Sequence, residues 1–287
     1  MMKKSTKVIA MMMIGIFLCM LDTTVMNIAL PAIQTGLNTD LTHLSWALNI
    51  YTVLFASLAI PLGRLADVWG RGRMYLIGLG LFGIGSLTSG LSLSVGLLIT
   101  GRAIQSIGAA IVFPASMTIG IQSVALSRRT GVIASLGVMQ GLAAALGPTI
   151  GGAVTQFWGW RGIFLINVPL VAVALCGCIA WLSWRHPSHG QVKLDLGGSA
   201  LVMTTLLALT LVLVKGNDWG WTSRVVLSLG VTSALTLIAF VWMEAHVSAP
   251  MVPLALFKDR QFNGAALATV LSGAVSYTHL RAHETGA

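Results

Sequence analysis

Two ionisable residues, Asp22 and Arg102, lie inside long apolar stretches of the sequence. If these stretches cross a bilayer, a charge near its centre costs at least about 2.5 to 3.5 kcal/mol, which makes such residues functional candidates by default. A carboxyl group can exchange a proton, and a neighbouring arginine favours its charged form. The pair is therefore a candidate site for proton exchange or for binding a cation. The alternatives are a structural ion pair that locks the helix bundle, or different span limits that let Asp22 snorkel outward.

Both residues are expected at the same depth in the membrane. Asp22 lies about eight residues before the outer end of its stretch, and Arg102 about nine residues into its own, which places them ~12 and ~13 Å deep. Arg102, Gln105 and Ala109 share one helical stripe, so we predict that a polar cavity lies between the two helices. Three more residues could extend this lining or form single interhelical hydrogen bonds: Asn27, Asn49 and Gln140.

The elements that must position these residues are eight stretches long and apolar enough to cross a membrane. The chain has 287 residues, 56% hydrophobic and 9% charged, which excludes an ordinary soluble domain. A hydrocarbon core of ~30 Å takes roughly 20 helical residues. The sequence thus predicts an all-α polytopic membrane protein with spans at 8–30, 43–62, 74–92, 93–118, 131–154, 163–183, 196–214 and 225–243, and a ninth beginning near Phe262.

The net charge of +9 follows the predicted topology. With the N-terminus in the cytoplasm, twelve of the 17 Lys and Arg residues fall in inner segments and three in outer segments. We therefore predict a multi-pass protein of the cytoplasmic membrane, with its N-terminus inside, in contact with lipids and without a nucleic-acid partner. Cys176 and Cys178 have no His or carboxylate nearby, so neither a metal nor a cofactor is predicted.

The turn between the second and third predicted spans is dense with charge. Its glycines permit a tight turn and close helix approach. Asp67 can pair with a basic residue or accept from a helix N-terminus, which would make a breakable latch at the inner surface. Ordinary positive-inside anchoring explains the arginines but neither Asp67 nor the glycine spacing. The candidate latch residues are Gly63, Asp67, Gly70, Arg71 and Arg73.

The fifth predicted span is rich in glycine around a proline. Pro148 has no N–H, so the carbonyl of Ala144 lacks its helical partner and the helix can bend there. Small residues also let a neighbouring helix pack closely, which is the plainer interpretation. The residues of this candidate bend are Gly137, Gly141, Gly147, Pro148, Gly151 and Gly152.

The polar connection at residues 184–194 is the best internal boundary in the chain. We expect a six-span bundle at 1–190, two further spans at 191–245, and a loop with the start of a ninth span at 246–275. Residues 276–287 place charge where that span should continue, so we expect a foreign tail, with a genuine short C-terminus as the alternative.

Several motifs occur in the order expected of a known family. Residues 63–73 and 98–108 resemble the loop and fourth-span motifs of the major facilitator superfamily, and 137–152 its antiporter motif. Residues 21–31 are similar to the first-span signature of its drug:proton antiporters with fourteen spans. Residues 160–169 and 253–257 resemble the approaches to spans six and nine of that family. Gly101 and Ser106 depart from the fourth-span pattern but remove no charge.

The resemblance implies the major facilitator fold, with an N-terminal six-helix bundle, two extra central helices and a C-terminal bundle that is almost wholly missing here. By the same resemblance Asp22 would be the protonatable group, Arg102 would promote proton transfer, Asp67 with Arg71 would form the latch, and Gly147 with Pro148 the bend. The expected function is proton-coupled export of amphipathic or cationic toxic compounds by a transporter and not an enzyme. A metabolite facilitator or symporter, or a non-transporting scaffold, is the alternative. We expect these 287 residues alone not to transport, and the oligomeric state is not predicted.

Overall fold

The computed structural model describes residues 4–182, 195–247, 250–269 and 271. This part of the chain contains helices and no strand. The predicted boundary at 184–194 and the predicted foreign tail at 276–287 lie outside the described residues. The helices are α1 (Lys4–Leu37), α2 (Leu41–Trp69), α3 (Arg71–Gly90), α4 (Val95–Gln122), α5 (Arg129–Trp158), α6 (Gly162–Leu165), α7 (Asn167–Trp181), α8 (Leu196–Trp219) and α9 (Arg224–His246), with 3₁₀ segments at Leu126–Arg128 and Leu254–Lys258.

Most of the helices extend beyond the spans predicted for them. The predicted first span, 8–30, lies within the 34-residue helix α1. The apolar window marks only the part that fits the hydrocarbon core, whereas helical hydrogen bonding continues into the more polar flanks. The predicted sixth span is divided at Ile166 into α6 and α7. Residues 260–269 are helical, where the start of the ninth span is expected.

Of the helices in the described ranges, seven are long and apolar enough to cross a membrane. They are Lys4–Leu37, Leu41–Trp69, Val95–Gln122, Leu126–Trp158, Gly162–Trp181, Leu196–Trp219 and Arg224–His246. The third predicted span, 74–92, coincides with α3, which is not among the seven. Its 20 residues include Arg71, Arg73 and six glycines, and these lower its mean hydropathy.

Close packing of α3 against α4 sets the geometry of the bundle. A Cβ added to Gly85 would lie 2.6 Å from the carbonyl oxygen of Gly101, and one added to Gly108 would lie 2.6 Å from that of Gly78. Both distances are too short for a side chain, so only glycine allows this approach of the two backbones. The seam holds the polar side chains of α3 and α4 at a fixed distance.

Gly70 alone connects α2 to α3. Its φ of +99° belongs to the region that favours glycine, and its N–H donates to the carbonyl of Ala66 at 3.0 Å. Ser94 caps the start of α4 by accepting from the N–H of Leu97 at 3.3 Å. Gly70 and Ser94 therefore set the first residues of α3 and α4.

The α8–α9 pair packs on the outside of the first helices through α2. Lys215 of α8 is 2% exposed, and its Nζ donates to Ser45 Oγ at 3.1 Å and to Asp218 Oδ2 at 2.7 Å. The same Nζ lies 4.9 Å from the ring centroid of Trp46. A buried ammonium needs such partners, because an unpaired charge would be costly there. Lys215 therefore ties α8 to α2.

Candidate functional site

Asp22 of α1 and Arg102 of α4 form an ion pair in the interior of the protein. Arg102 Nη1 donates to Asp22 Oδ2. The side chain of Arg102 is 1% exposed and that of Asp22 is 2% exposed. Both charged groups are buried, so each depends on polar partners for its stability. The structure thus brings together the two residues that the apolar stretches had singled out.

Gln105 completes a triangle with this pair. It lies three residues after Arg102 on α4, and its Oε1 accepts from Arg102 Nη1 at 2.8 Å. Its Nε2 donates to Asp22 Oδ1 at 2.7 Å. Arg102 Nε also donates to the carbonyl of Ala47 in α2 at 3.2 Å. The predicted stripe on α4 therefore places both of its polar side chains against α1.

Two further polar side chains, Ser86 of α3 and Asn167 of α7, belong to the same network and were not predicted. Asn167 Nδ2 donates to Asp22 Oδ1 at 3.3 Å and to Ser86 Oγ at 3.1 Å. Gln105 Nε2 donates to Ser86 Oγ at 2.7 Å. Both residues are uncharged, whereas the prediction started from charged residues inside apolar stretches. Their one signal in the sequence is a polar side chain inside an apolar helix.

Aromatic rings enclose the guanidinium of Arg102. Its Cζ lies 4.2 Å from the ring centroid of Tyr51 and 5.8 Å from that of Phe164. The hydroxyl of Tyr51 donates to the carbonyl of Cys19 at 3.3 Å. The backbone carbonyl of Tyr51 accepts from Ser106 Oγ at 2.7 Å. Cation–π contacts stabilise the guanidinium where water does not reach it.

Apolar clusters lie on both sides of this network along α1. One contains Met12 and Ile16, and the other contains Val25 and Ala29, so Asp22 sits between them. Electrostatic interactions are strong in such surroundings because little solvent screens them. Three donors, from Arg102, Gln105 and Asn167, converge on the Asp22 carboxylate, so both of its oxygens are hydrogen-bonded.

The other candidate lining residues do not join the network. Asn27 is exposed, and its Nδ2 donates only to the carbonyl of Thr23, at 3.5 Å, among the residues described. Asn49 and Gln140 are half-buried on α2 and α5. Within the described ranges neither makes a side-chain hydrogen bond to Asp22. A role for Asn27 in the cavity stays a prediction.

The candidate latch contains one close ion pair. Arg71 Nε donates to Asp67 Oδ1 at 2.6 Å, and both side chains are about one-third exposed. A pair this exposed contributes roughly 0 to 1 kcal/mol, which makes it easy to break. Gly70 forms the turn between the two residues, and a Cβ on Gly63 would lie 3.8 Å from Pro114 Cβ. Arg73 lies in the first turn of α3.

The glycines of α5 divide into two sets. A Cβ on Gly147 would overlap Thr24 Oγ1, and one on Gly151 would lie 3.1 Å from a methyl group of Val25. These two glycines let α1 and α5 approach next to Asp22. The other three glycines of the candidate bend have no atom of another helix within 4 Å of the Cβ position: Gly137, Gly141 and Gly152. Pro148 lies within α5, which is helical on both sides of it.

The described part of the chain contains no group of three or more His, Cys, Asp or Glu side chains that could hold a metal ion. Cys19 and Cys178 are buried, Cys176 is exposed, and all three are free thiols.

The chain is similar to known transport and resistance proteins. It is 33% identical over 260 residues to "Multidrug resistance protein Stp" of Mycobacterium tuberculosis (strain CDC 1551 / Oshkosh), which covers 90% of the chain and 48% of that protein. The "Methylenomycin A resistance protein" of Bacillus subtilis (strain 168) is 35% identical over 262 residues, 90% of the chain and 55% of that protein. "Cephamycin export protein CmcT" of Amycolatopsis lactamdurans is 36% identical over 261 residues, 90% of the chain and 54% of that protein. The chain thus spans about half the length of the curated relatives it matches.

A family model agrees with the helical architecture and with the similar proteins. The model of the Major Facilitator Superfamily matches residues 12–280, which includes every helix that contributes to the network around Asp22. The described part of the chain is all α, and its long apolar helices suit a multi-pass membrane protein. The chain therefore belongs to the Major Facilitator Superfamily and has the all-α fold of that family of membrane transporters.

Proposed function

We propose that the protein is a proton-coupled antiporter that exports amphipathic or cationic toxic compounds across the cytoplasmic membrane, with its N-terminus inside. The observation that carries this proposal is the buried pair of Asp22 and Arg102 at one level of two membrane-spanning helices. Such a pair is costly in a membrane, and coupled transport gives a reason for it. The names of the relatives, which refer to multidrug resistance and to antibiotic export, support the same direction of transport.

In this mechanism Asp22 alternates between two occupants. As a carboxylate it is held by Arg102 and is available to a cationic substrate. When it takes up a proton, its attraction for Arg102 and for the cation weakens. Proton and substrate therefore compete for one group, and the helices around it change access from one side of the membrane to the other.

Two other features support the conformational change in this proposal. The exposed pair of Asp67 and Arg71 serves as a latch at the cytoplasmic surface, because its small energy allows it to open in each cycle. Gly147 with Pro148 serves as the place where α5 adjusts its packing against α1. We also propose the fourteen-span arrangement, in which α8 and α9 are the two central helices.

Substrate-dependent proton release tests the role of Asp22. The intact protein is reconstituted in lipid vesicles, tetraphenylphosphonium is added as the cationic probe, and a pH-sensitive dye reports the released protons. Asp22→Asn should abolish the release, because the amide does not titrate. Asp40→Asn is the matched control: Asp40 is an exposed residue that caps α2 and contacts the ring of His43, asparagine caps equally well, and the site lies apart from the network around Asp22.

The same experiment separates the proposal from its alternatives. Undiminished proton release by a correctly inserted Asp22→Asn variant would leave Asp22 as a purely structural partner of Arg102. Proton uptake together with the probe, instead of release, would indicate a symporter. A metabolite facilitator would bind the probe without any proton signal.

A further inference from the structure

One atom of Asn167 has no partner although it is deeply buried. Asn167 is 1% exposed, and its Nδ2 contacts Asp22 and Ser86, whereas no donor among the described residues reaches its Oδ1. A buried polar atom without a partner is destabilising, because it has lost its hydrogen bonds to water and gained none in exchange. A position that tolerates this cost calls for a physical explanation.

Ser86 has the opposite deficit at the same place. Its Oγ accepts from Gln105 Nε2 at 2.7 Å and from Asn167 Nδ2 at 3.1 Å. Within the described part of the chain, its own hydroxyl proton has no acceptor. Among the described residues, Asn167 Oδ1 thus lacks a donor and the neighbouring Ser86 hydroxyl lacks an acceptor. Asn167 is 1% exposed and Ser86 is 0% exposed.

A rotation of the Asn167 amide by half a turn would remove part of this mismatch. It exchanges Oδ1 and Nδ2, which differ little in size, so that Oδ1 then faces Ser86 Oγ and Asp22 Oδ1. Ser86 could then donate its proton to Oδ1. Towards Asp22 the result depends on protonation, because a carboxylate oxygen would repel Oδ1 whereas a protonated Asp22 would donate to it.

Gln105 cannot make the same change. Its Oε1 accepts from Arg102 Nη1 at 2.8 Å, so a rotation would turn Nε2 towards the guanidinium and set two donors against each other. Among the described residues, the ionisable groups around Asp22 are Arg102 from α4, Tyr51 from α2 and Cys19 on α1 itself, and of these three Arg102 alone bonds to the carboxylate. Of the two amides on Asp22, Asn167 is therefore the one with freedom to rotate.

We propose that Asn167 is a positioning residue whose amide rotates with the protonation of Asp22. It donates to the carboxylate through Nδ2 and accepts from the neutral acid through Oδ1. The proton comes from water in the transport cavity, binds to Asp22 Oδ1 and returns to water on release, while Arg102 remains on Oδ2. The inference rests on the proposed function, because it requires that Asp22 takes up a proton.

Infrared difference spectroscopy of the reconstituted protein between high and low pH tests this role. A protonated Asp22 has a C=O stretching band, identified by its absence in Asp22→Asn. In Asn167→Leu the acid loses its acceptor, so the band should shift to higher wavenumber. Ser106→Ala is the matched control, because Ser106 is buried on α4 and bonds to Tyr51 but not to Asp22. In this variant the Asp22 band should keep its position.

The outcomes separate the role of Asn167 from the proposed function. A band that does not appear at any pH in the unmodified protein removes the proposed function, and this inference with it. A band that appears but has the same position in Asn167→Leu overturns the inference and leaves the proposed function intact. Asn167→Ala, which only shortens the side chain, is measured beside it and should give the same shift, so the test stands if the leucine variant does not fold.

Discussion

Removing the positive charge from the buried pair should destabilise the protein strongly. In Arg102→Met the Asp22 carboxylate, 2% exposed, loses its only ion-pair partner among the described residues. Gln105 Oε1 and the carbonyl of Ala47 lose a donor at the same time. Breaking a buried ion pair by removing one partner costs about 3 to 5 kcal/mol, which is roughly a hundredfold to several thousandfold in the folding equilibrium.

A double-mutant cycle separates this charge effect from lost packing. Asp22→Asn added to Arg102→Met removes the stranded carboxylate, so we expect the double variant to regain about 2 kcal/mol relative to Arg102→Met alone. The free energy of unfolding is measured by titrating mixed micelles with a denaturing detergent and following helix content. A cost below about 1 kcal/mol for Arg102→Met, or no recovery in the double variant, would refute the argument that both charges depend on each other.

Three further predictions concern the packing of α5 on α1, the turn at Gly70 and the attachment of α8 to α2. Gly147→Ala should cost about 1 to 3 kcal/mol of stability because the added methyl group meets α1. Gly141→Ala, in open space on the same helix, should be neutral or stabilising by up to about 1 kcal/mol. Equal thermal stability of the two variants would contradict this. Gly70→Ala should destabilise by about 1 to 2 kcal/mol because of its positive φ, and an unchanged melting temperature would argue against strain. Lys215→Met should weaken the attachment of α8 to α2, seen as faster proteolysis between them; proteolysis at the unmodified rate would show that the apolar contacts suffice.

Apolar length and charge were enough to predict the helices and to single out the two residues of the central ion pair. A charge inside an apolar stretch is rare, so Asp22 and Arg102 stood out without knowledge of any contact. Gln105 followed from the spacing of three on the same helix. The helix ends were less predictable, because a hydropathy window reports the hydrocarbon core and not the last hydrogen bond.

What could not be predicted depends on the rotation of each helix and on uncharged partners. Asn27 lies five residues after Asp22, about 140° around α1, and so points away from the network. On α5, Gly147 and Gly151 are one turn apart and face α1, whereas Gly152 points elsewhere for the same reason. Ser86 and Asn167 carry no charge, and only the packing of α3 against α4 and α7, and of α7 against α1, shows that they belong to the network around Asp22.

The glycine seam between α3 and α4 also constrains how this transporter can evolve. A Cβ on Gly85 would lie 2.7 Å from the Cα of Gln105, the residue that joins Arg102 to Asp22. A larger residue there would move α4 and, with it, the whole network around Asp22. Changes in substrate range should therefore accumulate on cavity surfaces away from this seam, while the seam itself stays closed to gradual variation.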